Sequence, residues 1–427
     1  MSSERILIAA GRVVDPASGL DAVQPVCVAD GKIVGVGHHP PGFAPDREIH
    51  VPGRIVCPGF IDLCARLREP GQEHKGTLAS EGTAAGASGI TTLCIPPDTK
   101  PVVDTPAVVR LIRERGQKAA QIRMLPIGAL TSGLNGKDLS EMSALKQAGC
   151  LAVSNGYTPL ASSLVLRRAF EYAASHDLLV IVRPEDQELR DCGCVHEGAV
   201  ATRLGLPGIP EAAETLAVAQ CLVLIEHTGV RAHFGQLSTA RAAAMISEAQ
   251  RRGLPVSADV AIHQLHLTDL DVDGFESLCH VSPPLRTAAD RDGLRKALGD
   301  GSITAICSDH QPHDPDAKLD VFSATDPGIA SVETLLPLTL RLVDEGVLSL
   351  SEAVARLTVG PANILGLPTG RLTVGSPADL CIFEPGATWQ INGSNWRSRG
   401  RNTPFWGDEM VGRVTQTIVG GQLVFQA

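Results

Sequence analysis

Between residues 54 and 369, eight short runs of β-branched or apolar residues alternate with helical stretches, and this rhythm limits the fold more than any other feature of the chain. The runs are IVCPGFI, GITTLCI, IRMLPIGAL, CLAVS, LLVIVRP, VRAHFGQ, LPVSADV and SITAICSD. Helix starts mark the spaces between them, with Asp104-Thr105-Pro106 ahead of VVRLIRER and Ser238 ahead of TARAAAMISEAQRRG. Eight parallel-type strands in even succession predict an α/β fold closed as a (β/α)8 TIM barrel, rather than an open doubly wound sheet. Residues 1–53 have a different texture, with ILIAAGRVVD, VCVADGKIVGVG and glycine turns, and residues 370–427 return to it with ADLCIFEP and VTQTIVGGQLVF. The expected architecture is a barrel over 54–369 and one small β domain assembled from both ends of the chain.

Composition removes several function classes. The net charge is −10 with no basic block, which argues against nucleic acid and anionic membranes as partners. No apolar run approaches the roughly 18 residues of a membrane span, and MSSERILIAAGR lacks the layout of a signal peptide. Eleven scattered cysteines in a long chain fit reduced cytoplasmic thiols, and Cys192 and Cys194 stand too close for usual zinc spacing. Aromatic residues make up only 3%, so Leu, Val, Ile and Ala must build the core.

In a barrel of this type the chemistry sits at the C-terminal ends of the strands. The first strand ends in Asp62-Leu63-Cys64-Ala65-Arg66, and residues two apart on a strand face the same way, so Cys64 and Arg66 share one wall of the mouth. The fourth ends in Ser154-Asn155-Gly156, the fifth in Val182-Arg183-Pro184-Glu185-Asp186, the sixth in Phe234-Gly235-Gln236, and the eighth in Ser308-Asp309-His310-Gln311-Pro312-His313.

The runs PGFIDL, LREPG, IPPDTKP, HEGAVATRLGLPGIPEAAE, PPLR, SDHQPH, GPANILGL, GSPADLCIFEP and NTPFWG resemble, in order and over nearly the whole chain, the dihydroorotase branch of the amidohydrolase superfamily. The resemblance implies a barrel carrying zinc at its strand ends, plus a small β domain from both termini. It also implies the interconversion of carbamoyl aspartate and dihydroorotate. Against that pattern, Cys64 and Arg66 stand where active relatives have His-x-His. Asn155-Gly156 replaces an aspartate-rich turn, Arg183 and Gln236 replace two histidines, and Asp309 alone is retained. Zinc takes imidazole, thiolate or carboxylate donors, at least three of them in a catalytic site. Arginine offers only N–H donors and stays protonated. The site is therefore expected to hold no metal and no cofactor. An Arg–Asp network is expected in its place, with Arg66 or Arg183 paired to Asp309, Asp62 or Glu185.

Other retained positions are weighed the same way. Arg68 matches the arginine that grips the substrate carboxylate in active relatives, whereas Asp98 stands where they have an asparagine and would repel an anion. His313 and Pro283–Arg286 also match, as polar loop residues at a barrel mouth. The resemblance to catalytically dead dihydroorotase-like chains implies a cytoplasmic, non-catalytic subunit of aspartate carbamoyltransferase, as a homodimer within a larger hetero-oligomer. The alternative is an active cyclic amidohydrolase using Cys64 as nucleophile beside His310 or His313, or a single metal at Asp309. A third reading, a sensor gripping a pyrimidine intermediate through Arg68, ranks below these because of Asp98.

Overall fold

The computed structural model describes residues 4–427. Its centre is a ring of eight short parallel strands: β1 (Phe60–Asp62), β2 (Ile90–Ile95), β3 (Arg123–Pro126, continued at Gly128–Ala129), β4 (Ala152–Ser154), β5 (Leu179–Val182), β6 (Ala232–Phe234), β7 (Val256–Ala261) and β8 (Ala305–Cys307). Each pairs with the next. The two halves of β3 divide its pairing, Arg123–Pro126 lying against β2 and Gly128–Ala129 against β4. The ring closes just beyond β1 and β8, where Ala65 bridges His310 in parallel and Arg66 N–H donates to His310 O at 2.8 Å.

Strand side chains alternate between two cores, as the two-residue repeat of a strand requires. Ile61, Cys94, Ala152, Leu179, Ala261 and Ala305 fill the barrel with Ile364 and Leu365 of the helix Val359–Leu365. Val153, Val180, Val260 and Ile306 point outward to the helical layer. That layer comprises α1 (Leu78–Ala87), α2 (Pro106–Ala119), α3 (Met142–Ala148), α4 (Ser163–Ser175), α5 (Glu211–Thr228), α6 (Ala240–Arg251), α7 (Ala288–Gly299) and α8 (Leu335–Asp344). The start of α2 is as expected, with Pro106 in its first turn after Thr105. The start of α6 is not, because Thr239 caps it by accepting from Ala242 N–H. Ser238 instead gives both N–H and Oγ–H to the buried Glu214 carboxylate, which draws that hydroxyl away from the helix.

The run IVCPGFI also differs from expectation, since it is two strands and not one. Ile55–Pro58 lies between Arg12–Asp15 and Leu380–Gln390 in a six-stranded sheet, and only Phe60–Asp62 enters the barrel. Gly59 makes the step between them, where an added Cβ would fall 2.2 Å from Thr91 Cγ2. The six-stranded sheet faces a four-stranded one built from Ile6–Ala9, Val26–Ala29, Lys32–Val36 and Arg47–His50. Ile6, Val28, Ile33 and Val56 from the N-terminal part pack with Leu380, Ile382 and Ile418 from the C-terminal part in one core. The hairpin Glu409–Val419 to Gln422–Gln426 turns on Gly420-Gly421, whose φ values of +55° and +77° suit a two-residue turn that glycine adopts freely. Among the described residues, no helix is long and apolar enough to cross a membrane.

Candidate functional site: the barrel mouth

Cys64 and Arg66 project together from the end of β1, and both reach Asp309 beyond β8. Arg66 Nη1 is 3.3 Å from Asp309 Oδ1, and Cys64 Sγ–H donates to the same oxygen at 3.6 Å. Arg66 Nε donates to Asp98 Oδ2 at 2.8 Å, so one guanidinium spans two carboxylates. Gln311 Nε2 adds contacts of 3.3 Å to both Asp309 oxygens. Of the pairs considered from sequence, Arg66–Asp309 forms, whereas Arg183 turns to Glu185, with Nη1 3.1 Å from Oε2. Asp62 meets neither arginine. It accepts from Ser308 N–H at 2.9 Å, Ser308 Oγ–H at 2.5 Å and Cys64 N–H at 3.3 Å, tying β1 to β8.

Tyr157, on the loop after β4, organises the rest. Arg66 lies 4.5 Å and Arg183 4.0 Å from its ring centroid, so the phenol is held between two guanidiniums. Its hydroxyl accepts from Gln311 Nε2 at 2.9 Å and donates to Ser282 O at 3.4 Å, while Arg183 Nη2 donates to Ser282 Oγ at 2.7 Å. The sequence reading passed over Tyr157. The available signal was that it is one of only two tyrosines in the chain and follows a strand end by three residues. Asn155 holds its loop, accepting from Thr131 Oγ1–H at 2.6 Å and donating to Thr158 O at 2.9 Å. Gly156, with φ +57°, turns the chain between them.

Gln236 and Asp309 adopt φ of +54° and +46°, a left-handed backbone that non-glycine residues take up at a cost. Asp259 secures the first by accepting Gln236 N–H at 2.7 Å through Oδ1. The buried His233 meets the other oxygen of Asp259 at 2.9 Å and Ser257 Oγ at 2.9 Å. The side chain of Gln236 donates through Nε2 to Cys307 Sγ at 3.9 Å.

The remaining positions are committed to internal bonds. Arg68 Nε donates to Pro312 O at 2.9 Å and Nη2 lies 3.0 Å from His313 Nε2, while Lys75 Nζ lies 3.1 Å from His313 Nδ1. Burial, then Arg68 and Lys75, push the His313 pKa down to about 3, and burial beside Arg66 brings Arg68 to about 10. His310 is no partner for Cys64. Its Nε2 lies 2.9 Å from Glu81 Oε2, and Nδ1 receives Ser331 N–H at 2.9 Å. Glu81 also accepts Ser398 Oγ–H at 2.5 Å, which joins the barrel to the C-terminal segment.

This arrangement sets the chemistry available. Burial first, then Asp309, raise the Cys64 thiol well above its ordinary pKa, and the lowering pull of Arg66 does not offset them. A thiol so held is a poor nucleophile. Burial likewise raises the Asp309 carboxyl despite Arg66 and Arg183, and Arg66 stays protonated between its carboxylates. The donors around Asp309 do not fit zinc, because Arg66 fills the neighbouring place with N–H groups that have no lone pair to offer. Among the described residues, no three His, Cys, Asp or Glu side chains are grouped to hold a metal ion. The space bounded by Arg66, Arg68, Asp98 and Thr99 amounts to about 10 Å³, room for about one water molecule. A roomier cavity of about 430 Å³ runs from the ends of β4 and β5 out between α4 and α5, rimmed by Asn155, Tyr157, Arg183 and Glu185 and floored by Leu166, Phe170 and Ala217.

The Dihydro-orotase-like family matches residues 53–242, and the Amidohydrolase family matches residues 331–425. A dihydroorotase-like protein of Pseudomonas putida is 51% identical over 98% of both chains, and one of Pseudomonas aeruginosa is 50% identical over 99% of both. A dihydroorotase of Anaeromyxobacter dehalogenans is 44% identical over 99% of this chain and 98% of its own. The fold is shared with the L-hydantoinase of Arthrobacter aurescens, at a TM-score of 0.88 and 23% identity, covering 100% of this chain and 96% of that one. A matching family over the first half of the barrel, full-length relatives at half identity and a shared barrel with its β domain agree: the chain belongs to the dihydroorotase-like proteins of the amidohydrolase superfamily.

Proposed function

We propose that this chain is a catalytically inactive dihydroorotase homologue that serves, in the cytoplasm, as a non-catalytic subunit of aspartate carbamoyltransferase in pyrimidine synthesis. The supporting observation is the Arg66 guanidinium held 3.3 Å from Asp309, with Tyr157 stacked across it. In this reading the pair stands in place of zinc and keeps the barrel folded without it. Hydrolysis of a cyclic amide needs an activated water and a polarised carbonyl, which zinc supplies in metal hydrolases. Here Asp309 is engaged by Arg66, Cys64 and Gln311, and the space beside Arg68 has room for about one water molecule. Assembly with the carbamoyltransferase rests on resemblance to dead dihydroorotase-like chains.

The test is dihydroorotate turnover in both directions, using protein from a host without its own dihydroorotase, with zinc supplied and bound metal counted on the same sample. No turnover and no stoichiometric metal, followed by co-purification with aspartate carbamoyltransferase, is the expected result. Turnover above background overturns inactivity and favours the active amidohydrolase reading. An inactive chain that fails to co-purify overturns the subunit role alone.

A further inference from the structure

At the bottom of the barrel, opposite the mouth, the chain keeps a guanidinium without a counter-ion. Arg356, on the helix Leu350–Leu357, donates from Nη2 to Leu298 O at 2.8 Å. Its Nε is buried without a partner, and among the described residues no carboxylate is hydrogen-bonded to it or ion-paired with it. Burial lowers its pKa, and Glu352 and Asp300 offset this through space rather than by bonding. Both acids are engaged elsewhere, Glu352 in capping its own helix at Ser349 and Asp300 in accepting from Ser302. Leu298 lies in the last turn of α7, and a helix end supplies roughly half a negative charge, so the cation is only partly balanced. A half-buried cation left in that state is costly, and an anion beside it would relieve the cost.

Arg356 lines a groove of about 470 Å³, within the range of small-molecule sites. The groove runs past the first residues of β5, β6 and β7 and the residue before β8, beside the helix Val359–Leu365 that plugs the barrel. Leu179, Leu254, Val256, Val359 and Ile364 give it an apolar base. Its charged side chains are Arg231 and Arg356, both positive, in a chain whose net charge is −10. Arg231 meets Asp177 at 3.2 Å, but Asp177 is 79% exposed, and such a surface pair holds its cation weakly. The other polar groups add donors. Thr304 Oγ1 is buried with no partner. Asn363 Oδ1 is taken by Arg371 Nη2 at 3.2 Å, which leaves the asparagine its N–H groups, and Arg371 has an unpartnered Nε of its own. Ser257, by contrast, is spent on His233 Nδ1 at 2.9 Å.

An apolar base beneath two guanidiniums and an unbonded hydroxyl matches one ligand chemistry. The two oxygens of a carboxylate accept from N–H and O–H donors, and an aliphatic stem covers the apolar base. We propose that this groove is a binding site for a small aliphatic carboxylate, held by Arg356 and Thr304 with Arg231 at its rim. The site lies at the opposite end of the strands from Asp309, so it stands whether or not the mouth performs chemistry.

The experiment is isothermal titration calorimetry of the full chain at low ionic strength, with hexanoate, acetate and hexylammonium as probes. Hexanoate is expected to bind once per chain. Its affinity should exceed that of acetate, which lacks four methylenes, and of hexylammonium, which reverses the charge, by roughly tenfold or more. Arg356→Gln is expected to weaken hexanoate by roughly tenfold. Thr304→Val, which removes a hydroxyl and keeps the shape, should weaken it by roughly fivefold. Ala355→Leu keeps every charge, narrows the groove and should weaken hexanoate more than acetate. If Arg356→Gln fails to fold by circular dichroism, the other two variants decide. Hexylammonium bound as tightly as hexanoate overturns the choice of a carboxylate. Hexanoate that binds Thr304→Val and Ala355→Leu as it binds wild type sits elsewhere, with the arginines of the mouth as the other cationic place, and overturns the groove. No heat of binding with wild type overturns the proposal outright.

Discussion

Arg66 Nη1 and Asp309 Oδ1 meet at 3.3 Å where the two side chains are only 7% and 2% exposed. A buried ion pair contributes little compared with a well-packed apolar pair, but removing one member strands the other in a medium that solvates it poorly. Arg66→Met is therefore expected to cost about 3–5 kcal/mol in urea denaturation. The double variant Arg66→Met/Asp309→Leu should cost less than the single one, and a double variant that costs the sum of its parts would show that the two residues are not coupled.

Tyr157 packs against Arg66 in the same mouth. Tyr157→Ala removes a ring held between Arg66 and Arg183 and withdraws the hydroxyl from Gln311 and Ser282. Two desolvated cation–π contacts of about 1–2 kcal/mol each give an expected loss of about 2–4 kcal/mol. Tyr157→Phe keeps the stacking and should lose about 1 kcal/mol, the net value of a hydrogen bond.

Thiol chemistry separates the buried site from an active cysteine. Of the eleven cysteines, only Cys192 is exposed. Iodoacetamide at mildly alkaline pH should modify the native chain once, at Cys192, as read by peptide mass spectrometry. Fast labelling of Cys64 in the native chain would contradict the raised pKa that burial and Asp309 impose on it.

Asp62 supplies a pH dependence of definite sign. Burial lifts its carboxyl to about 7, against the lowering effect of its bonds to Ser308 and Cys64. Unfolded, it titrates near ~3.9. Between those values the folded chain holds a proton that the unfolded chain has released, so stability falls as pH rises from ~4 to ~7, by on the order of 4 kcal/mol. Asp62→Asn removes the proton but keeps an acceptor for Ser308 N–H. Its melting temperature should gain on wild type from pH 5 to about pH 7 and level off above that, and a constant difference across pH 5 to 7 would refute the assignment.

The barrel was legible because its signal is local. Eight runs such as GITTLCI and SITAICSD carry the strand pattern within themselves, and the return of strand texture after residue 370 announced the second sheet system. The groups at the strand ends were equally plain, since Cys64, Arg66, Arg183 and Gln236 are read off the chain one by one. Chemistry alone then dictated that a guanidinium must find a carboxylate. Which carboxylate it finds depends on the distances closed by the fold. Arg66 bonds Asp98 and Asp309, 32 and 243 residues away, whereas Arg183 bonds Glu185 only two residues on.

The sequence by itself determined the architecture, the family resemblance and the identity of every group at the strand ends. Tertiary structure alone decided that IVCPGFI divides between two sheets, because the partners of Ile55–Pro58 come from opposite ends of the chain. It also decided that Tyr157 stacks between two arginines, and that α5 keeps an apolar face in water. Hydrophobic periodicity reports how much of an element is apolar, but only the placement of its neighbours determines which of those side chains are covered.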